Sequence, residues 1–337
     1  MRWIACELHT HTFHSDGKQT LEELAQGAAA LGFECIALTD HNTMTGLKDR
    51  HEVEEKTGIR IIPGMEWTTF FGHMVTIGLQ DYVDWRPVGL KDIHRGIAEV
   101  HAKGGIAGMA HPFRMGTPVC TGRYWEYEIS DWNDIDYIEV WSGTFPSIKK
   151  DNARAFALWT DRLNAGYRIT ATSGRDWHVQ SSTGEPISVT YLGIEEGDGQ
   201  SLVRQAVKAL SQGRAMLTIG PLVTMEIHKE GTVYRMGDEV PLAGSEEGRE
   251  PCEAAVLVDF TVRKGQWEPP EQDFALRVTG NTGLLGELTI QSSNEFCRIP
   301  IPCTNVLWAR AELWGTVQGV RTMIACTNAV YFGVRDE

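Results

Sequence analysis

Over the first two-thirds of the chain, short apolar runs alternate with amphipathic stretches. The runs at residues 4–9, 35–39, 60–63, 73–79, 105–110, 137–141 and 168–172 are β-branched or continuously apolar, the pattern of strands covered on both faces. Between them, the amphipathic stretches at 21–31, 90–103, 151–163 and 201–211 predict helices. The first has a clear start: Thr20 followed three residues later by Glu23 is a capping box, and Gly32 supplies the stop. Strand–helix alternation of this kind points to an α/β fold, either a parallel barrel or an open sheet.

The texture changes near Met216. Long helical periodicity stops, and β-type segments follow at 217–227, 254–262, 274–278, 287–291, 306–313 and 320–332. Two stretches, 238–253 and 264–273, are rich in Pro, Gly and acids and read as exposed loops. The expected organisation is an α/β domain over 1–215 and a smaller all-β, sandwich-like domain over 216–337.

Composition narrows the function classes. The chain has 337 residues, is 42% hydrophobic and 23% charged, and carries a formal charge of −14. That surplus of carboxylates repels phosphate backbones at long range, so no nucleic-acid partner is expected beyond a terminal nucleotide. The first seven residues reach a charge before any useful apolar stretch and do not read as a signal peptide. No apolar run is long enough to span a membrane. The seven cysteines, Cys6, Cys35, Cys120, Cys252, Cys297, Cys303 and Cys326, form no CxxC pair. They are expected to be reduced and buried, in a cytoplasmic protein.

The histidines and acids give the first chemical signal. His9 and His11 leave the first strand two residues apart, hence on one face of extended chain. Asp16 follows in a Ser-Asp-Gly turn, and the second strand ends Thr39-Asp40-His41-Asn42. The third ends Gly64-Met65-Glu66, and Gly72-His73 opens the next. A later run closes on Ala110-His111-Pro112, and Asp176-Trp177-His178 repeats the i, i+2 spacing. Acids and imidazoles thus recur mostly at the carboxyl ends of successive strands, the rim where loops of a parallel barrel converge. Mixed imidazole and carboxylate donors suit zinc, manganese or iron.

These motifs together resemble the PHP (polymerase and histidinol phosphatase) superfamily of metal-dependent hydrolases, over roughly residues 4–215. The resemblance implies a distorted (β/α)7 TIM-like barrel with two to three divalent ions (Mn, Fe or Zn), up to a trinuclear centre. Carried over by motif, one ion would be held by His9, His11, Glu66 and Asp176. A second would share Glu66 and add His73 and His111, and a third would take Asp16, His41 and His178. Glu66, Asp176 and His178 are the implied catalytic positions. The order of domains is similar to the CehA/McbA-like branch, with bulky Arg175 and Trp177 departing from the commoner wording of the last motif.

The implied chemistry is phosphoester hydrolysis by a metal-activated hydroxide, on a small phosphate mono- or diester. A carboxylic or carbamate ester hydrolase of the CehA/McbA type is the alternative, and a non-catalytic metal-stabilised module another. Arg114 and Arg175 are the candidate substrate-binding residues, because a guanidinium offers a bidentate fork to phosphate. Lys18 is a weaker one. The expected partner is a small-molecule phosphoester or ester, with no membrane; a homo-oligomer is left open. Asp40 has two readings, orienting a ligand or accepting bonds in a turn. His14 is a proton-donor candidate, His94 and His101 read as structural, His51 belongs to a solvated Glu-rich helical face, and His228 lies in the β domain without acid–imidazole company. Tyr124, Trp125, Tyr127 and Trp132 either wall a pocket or pack a long loop.

Overall fold

The computed structural model describes residues 1–116, 124–197, 199–242, 252–263 and 266–334. The first part of the chain runs β1 (Arg2–Thr10), α1 (Leu21–Ala30), β2 (Cys35–Leu38), α2 (Arg50–Thr57), β3 (Arg60–Thr69) and β4 (Gly72–Ile77). It continues with α3 (Ile93–Ala102), β5 (Ile106–Met109), β6 (Tyr137–Ser142), α4 (Lys150–Asn164), β7 (Thr170–Gly174), β8 (Val189–Ile194) and α5 (Leu202–Ser211). Only strands follow: β9 (Ala215–Thr218), β10 (Leu222–Lys229), β11 (Thr232–Arg235), β12 (Glu239–Leu242), β13 (Cys252–Asp259) and β14 (Phe274–Gly280). The last are β15 (Gly283–Ile290), β16 (Glu295–Ile301), β17 (Trp308–Val317), β18 (Val320–Thr327) and β19 (Val330–Val334).

Strands β1 to β7 lie side by side in sequence order. Helices pack on β2, β3, β5 and β6, and α1 starts on the predicted box, Glu23 N–H donating to Thr20 Oγ1 at 3.1 Å. The path departs from a regular (β/α)7 arrangement at β4, which pairs antiparallel with both β3 and β5. Two residues join β3 to β4, whereas a parallel crossover needs about a dozen. Past β7 the chain returns to β1: Trp177 N–H donates to the His9 carbonyl and His11 N–H to the Trp177 carbonyl, both at 3.0 Å. Gly174 permits that approach, since a Cβ there would lie 2.6 Å from His9 Cβ.

In the last third, β11-β10-β13-β16 form a separate four-stranded sheet, while β9, β17, β18 and β19 extend the first sheet. β10 packs on β17 and β18. At the expected boundary, β9 pairs with β8 on one side and β18 on the other, so one sheet runs through it. Buried Asn328 clamps the junction. Its side-chain oxygen accepts from Ala171 N–H at 2.7 Å, and its amide donates to the carbonyls of Ala171 and Ala215. Buried Arg310 reaches Thr160 of α4 and lies within 4.9 Å of the ring centres of Phe156, Trp159 and Trp308.

Two expectations are corrected. Cys252 and Cys303 form a disulfide, so the cysteines are not all reduced. Cys6, Cys35, Cys297 and Cys326 are free and buried, and Cys120 lies outside the described residues. The stretch read as a loop over 238–253 contains β12, which pairs parallel with β19, and the first residues of β13. Residues 243–251, like 264 and 265 of the other expected loop, lie outside the described residues. No described helix is long and apolar enough to cross a membrane.

Asn328→Ala should lower unfolding free energy by about 2–4 kcal/mol, because it strips partners from buried backbone groups on β7 and β9. A urea titration with unchanged slope and a lower midpoint is the expected result; a shift below about 0.5 kcal/mol would remove the clamp.

Candidate metal centre

Each candidate donor arrives on the rim by a local rule. His9 is the last residue but one of β1 and His11 follows the strand, while His41, His111, Asp176 and His178 lie just beyond the carboxyl ends of β2, β5 and β7. Glu66 sits inside β3. His73 is at the amino end of β4, and because that strand is antiparallel, its amino end lies at the same rim. His111 and Asp176 have positive φ, 27° and 53°, a conformation that side-chain-bearing residues adopt only where surroundings enforce it.

Glu66 is the centre of the array and fully buried. Its Oε2 lies 3.1 Å from His9 Nε2, 3.4 Å from His11 Nε2 and 3.0 Å from His41 Nδ1. Its Oε1 lies 2.8 Å from His73 Nδ1 and 3.3 Å from His111 Nε2. Asp176 Oδ1 is 3.0 Å from His11 Nε2 and 3.4 Å from His9 Nε2. Asp16 Oδ1 reaches His178 Nε2 at 3.0 Å and His41 Nε2 at 3.4 Å. Three groups of donor atoms converge closely enough for one ion each: His9, His11, Glu66, Asp176; His11, Asp16, His41, His178; and His41, Glu66, His73. His111 is outside these groups but touches Glu66.

His9 Nε2, both His11 ring nitrogens, Glu66 Oε2, His73 Nε2 and Asp176 Oδ1 are buried without a hydrogen-bond partner. Leaving so many buried polar atoms unpaired is costly, and their clustering at one point is what a cation would satisfy. The residues therefore fit a divalent metal site, in donor type as well as position.

Several imidazoles are fixed from behind by groups that sequence reading did not select. Glu139 Oε2 lies 2.7 Å from His9 Nδ1, Thr68 Oγ1 bonds His41 Nδ1, and His178 Nδ1–H donates to the Asp176 carbonyl at 2.8 Å. Glu7 accepts the backbone N–H groups of His9 and Arg175. The available signal was a carboxylate within an apolar strand, at residue 7 on the face of His9 and at residue 139 between Ile138 and Val140.

The electrostatics follow from that crowding. Burial opposes charge on Glu66, yet the surrounding imidazoles, His9 first, hold its carboxyl well below the usual range. Asp176 behaves alike: burial is outweighed by His9 and His11. Burial pulls His9 down, but Glu66, Glu139 and Asp176 drive it well above an ordinary histidine. His41 rises to about 9 because Glu66 outweighs burial, whereas burial lowers His11. Burial pushes Glu7 up to about 7 against the pull of Arg175.

A cavity of about 210 Å³ opens on this array, lined by Asp16, His41, His73, His111, Asp176 and His178 together with Arg114, Met115, Tyr124 and Trp125. Arg114 Nη1 donates to Asp176 Oδ2. Arg175, the other candidate for substrate binding, is not among the residues lining this cavity. Its guanidinium is buried over the Trp177 ring at 4.1 Å. Asp40 accepts from Thr12 N–H, Thr12 Oγ1 and Ser15 Oγ, all at 2.7 Å, so it shapes the turn before Asp16 rather than orienting an imidazole. His14 bonds Thr45, His94 bonds Asp134 and His101 bonds Asp136, all away from the cavity. Lys18 is exposed and Tyr127 is buried against Thr69.

Parts of the chain are similar to known proteins. Residues 7–97, which contain His9, His11, Asp16, His41, Glu66 and His73, match the PHP domain family. A phosphoribosyl 1,2-cyclic phosphate 1,2-diphosphodiesterase of Eggerthella lenta is 36% identical over 64 residues, 19% of this chain and 24% of that enzyme. A 3',5'-nucleoside bisphosphate phosphatase of Chromobacterium violaceum is 33% identical over 97 residues, 28% of this chain and 34% of that enzyme. The similarity thus spans about a quarter to a third of these relatives' lengths. A solved structure from Bacteroides vulgatus, a two-domain protein containing a predicted PHP-like metal-dependent phosphoesterase, shares the fold over 96% of this chain and 95% of its own. Its TM-score is 0.53 at 18% identity.

Metal uptake by chelator-treated protein should release protons, because an ion must displace those that His9 and His41 carry near neutrality. Protonation competes with the ion, so apparent Mn affinity should strengthen as pH rises from 6.5 toward about 9. Calorimetry in two buffers of different ionisation enthalpy measures the release; proton-neutral binding would contradict the assigned protonation.

Proposed function

We propose that the chain is a metal-dependent hydrolase that cleaves a small phosphate mono- or diester. The observation that carries this reading is the set of partnerless buried atoms of His9, His11, Glu66, His73 and Asp176 facing one point beside a cavity. The named activities of the two partial relatives, a cyclic phosphodiesterase and a bisphosphate phosphatase, support phosphate esters as the substrate class.

In this reading His9, His11, Glu66 and Asp176 hold one ion; Glu66, His73 and His111 a second; Asp16, His41 and His178 a third. The chemistry supplied by two or three ions of manganese, iron or zinc is acidification of water and neutralisation of phosphate oxygens. The protein's own groups prepare for it. Glu139 and Thr68 orient His9 and His41, and the Asp176 carbonyl fixes the tautomer that leaves His178 Nε2 facing Asp16. Arg114 lines the cavity wall, where its positive charge favours an anionic ester. Tyr124 and Trp125 give the ester's leaving group an apolar wall. An anion enters a chain of charge −14 because local cations outweigh distant surface carboxylates.

Asp176→Asn should abolish metal-dependent turnover of p-nitrophenyl phosphate by about a hundredfold or more with circular dichroism unchanged. Retained phosphatase activity, or activity confined to naphthyl esters in the parent protein, would overturn the phosphoesterase reading. Arg114→Ala should raise KM for phosphoesters about tenfold with a smaller change in kcat. An unchanged KM would take Arg114 out of substrate binding.

A further inference from the structure

Beside the candidate centre the chain holds two cations together without a carboxylate between them. β6 ends at Ser142, and Gly143 follows with φ 79°. A Cβ on Gly143 would lie 2.5 Å from Lys149 Nζ and 3.6 Å from Arg114 Nη2. The ammonium and the guanidinium therefore flank one bare piece of backbone, within about 6 Å of each other. Arg114 directs Nη1 to Asp176, and Nη2 is the arm that faces Gly143. Lys149 makes no ion pair among the described residues; its recorded contact is a long 3.5 Å hydrogen bond to the Ser142 carbonyl.

Like charges at this range repel, and Lys149 shows it. Partial burial first, then the charge of Arg114, pushes its ammonium below the usual lysine value, while Asp151 and Glu185 act the other way without pairing. Such a pair is relieved by an anion that touches both groups. With no side chain at Gly143, the Lys149 ammonium can lie over the backbone there, beside Arg114 Nη2.

We propose that Arg114 and Lys149, meeting across Gly143, form a second anion subsite that takes a phosphate or carboxylate carried by the same substrate whose phosphoester is cut. This rests on the phosphoesterase reading and narrows its substrate class to small phosphoesters bearing a second anionic group. Arg114 links the two halves, with one nitrogen on Asp176 and the other at the subsite. Lys149, away from the candidate ligands, belongs to the subsite alone. No bond is made or broken there; the group is held by charge and hydrogen bonds.

The test uses non-hydrolysable probes, so that binding is read apart from turnover. Butylphosphonate, butane-1,4-bisphosphonate and 5-phosphonopentanoate are titrated into Mn-loaded protein by calorimetry. At least one doubly anionic probe should bind about tenfold more tightly than butylphosphonate. The bisphosphonate and carboxylate arms tell which second group is preferred. Lys149→Met should collapse that preference to within about twofold, and Lys149→Arg should keep it. Lys149→Gln serves as a second neutral variant should the methionine variant fold poorly. Equal affinity for all three probes in the parent protein, or a preference that survives both neutral variants, would overturn the subsite. Turnover of p-nitrophenyl phosphate is scored separately. Turnover without the binding preference discards the subsite alone, whereas an intact preference without turnover discards the phosphoesterase reading and with it the proposed substrate class.

Discussion

A carboxylate that water cannot reach governs the geometry of this protein. Glu66 is fully buried, and an isolated ion there would cost several kcal/mol of lost solvation. Its compensation comes from imidazoles on separate segments, at residues 9, 11, 41, 73 and 111, each within 3.4 Å of one of its oxygens. Such a ring closes only if the ends of β1, β2 and β5 and the start of β4 meet beside the middle of β3. The short β3–β4 connection, which forces β4 to run backwards, is therefore part of the site as much as of the fold.

The same constraint explains the backbone around it. His111 and Asp176 take positive φ at the points where the chain must aim a side chain back over the rim. The return of residue 177 to β1 brings both Asp176 and His178 against His11. Behind the rim, Glu139 and Glu7 lie within apolar strands, where they bind ring and backbone nitrogens and so have reason to be buried. Farther out, Asn328 and Arg310 tie the all-strand portion to β7, β9 and α4, on which the rim is built.

Much of the rim could be read before folding, because its chemistry is written in local pairs. His9 and His11 sit two apart on extended chain, and period two alone puts them on one side, whereas Asp176 and His178 share the spacing but not the extended backbone. What escaped was non-local or relational. The buried carboxylate of Glu139 gains meaning only from His9, far away in sequence. Arg114 and Arg175 look alike as neighbours of ligand motifs, yet the second lies buried over the Trp177 ring, a partner that spacing does not mark. Asp40 beside His41 suggested a ligand's support, but the turn of Thr12 and Ser15 competes for it and wins three hydrogen bonds. Short strands such as β11 and β12 escaped because pairing with β10 and β19 supplies their stability, which no local pattern announces. The Cys252–Cys303 disulfide was equally invisible, since the two lie 51 residues apart.

The central claim, that these side chains share a polynuclear metal site, is tested most directly by anomalous diffraction from crystals of the Mn-loaded protein. The account predicts discrete peaks between His9, His11, Glu66 and Asp176 and on the far side of Glu66 toward His73. A map empty among these residues, with manganese bound elsewhere on the chain, would contradict it.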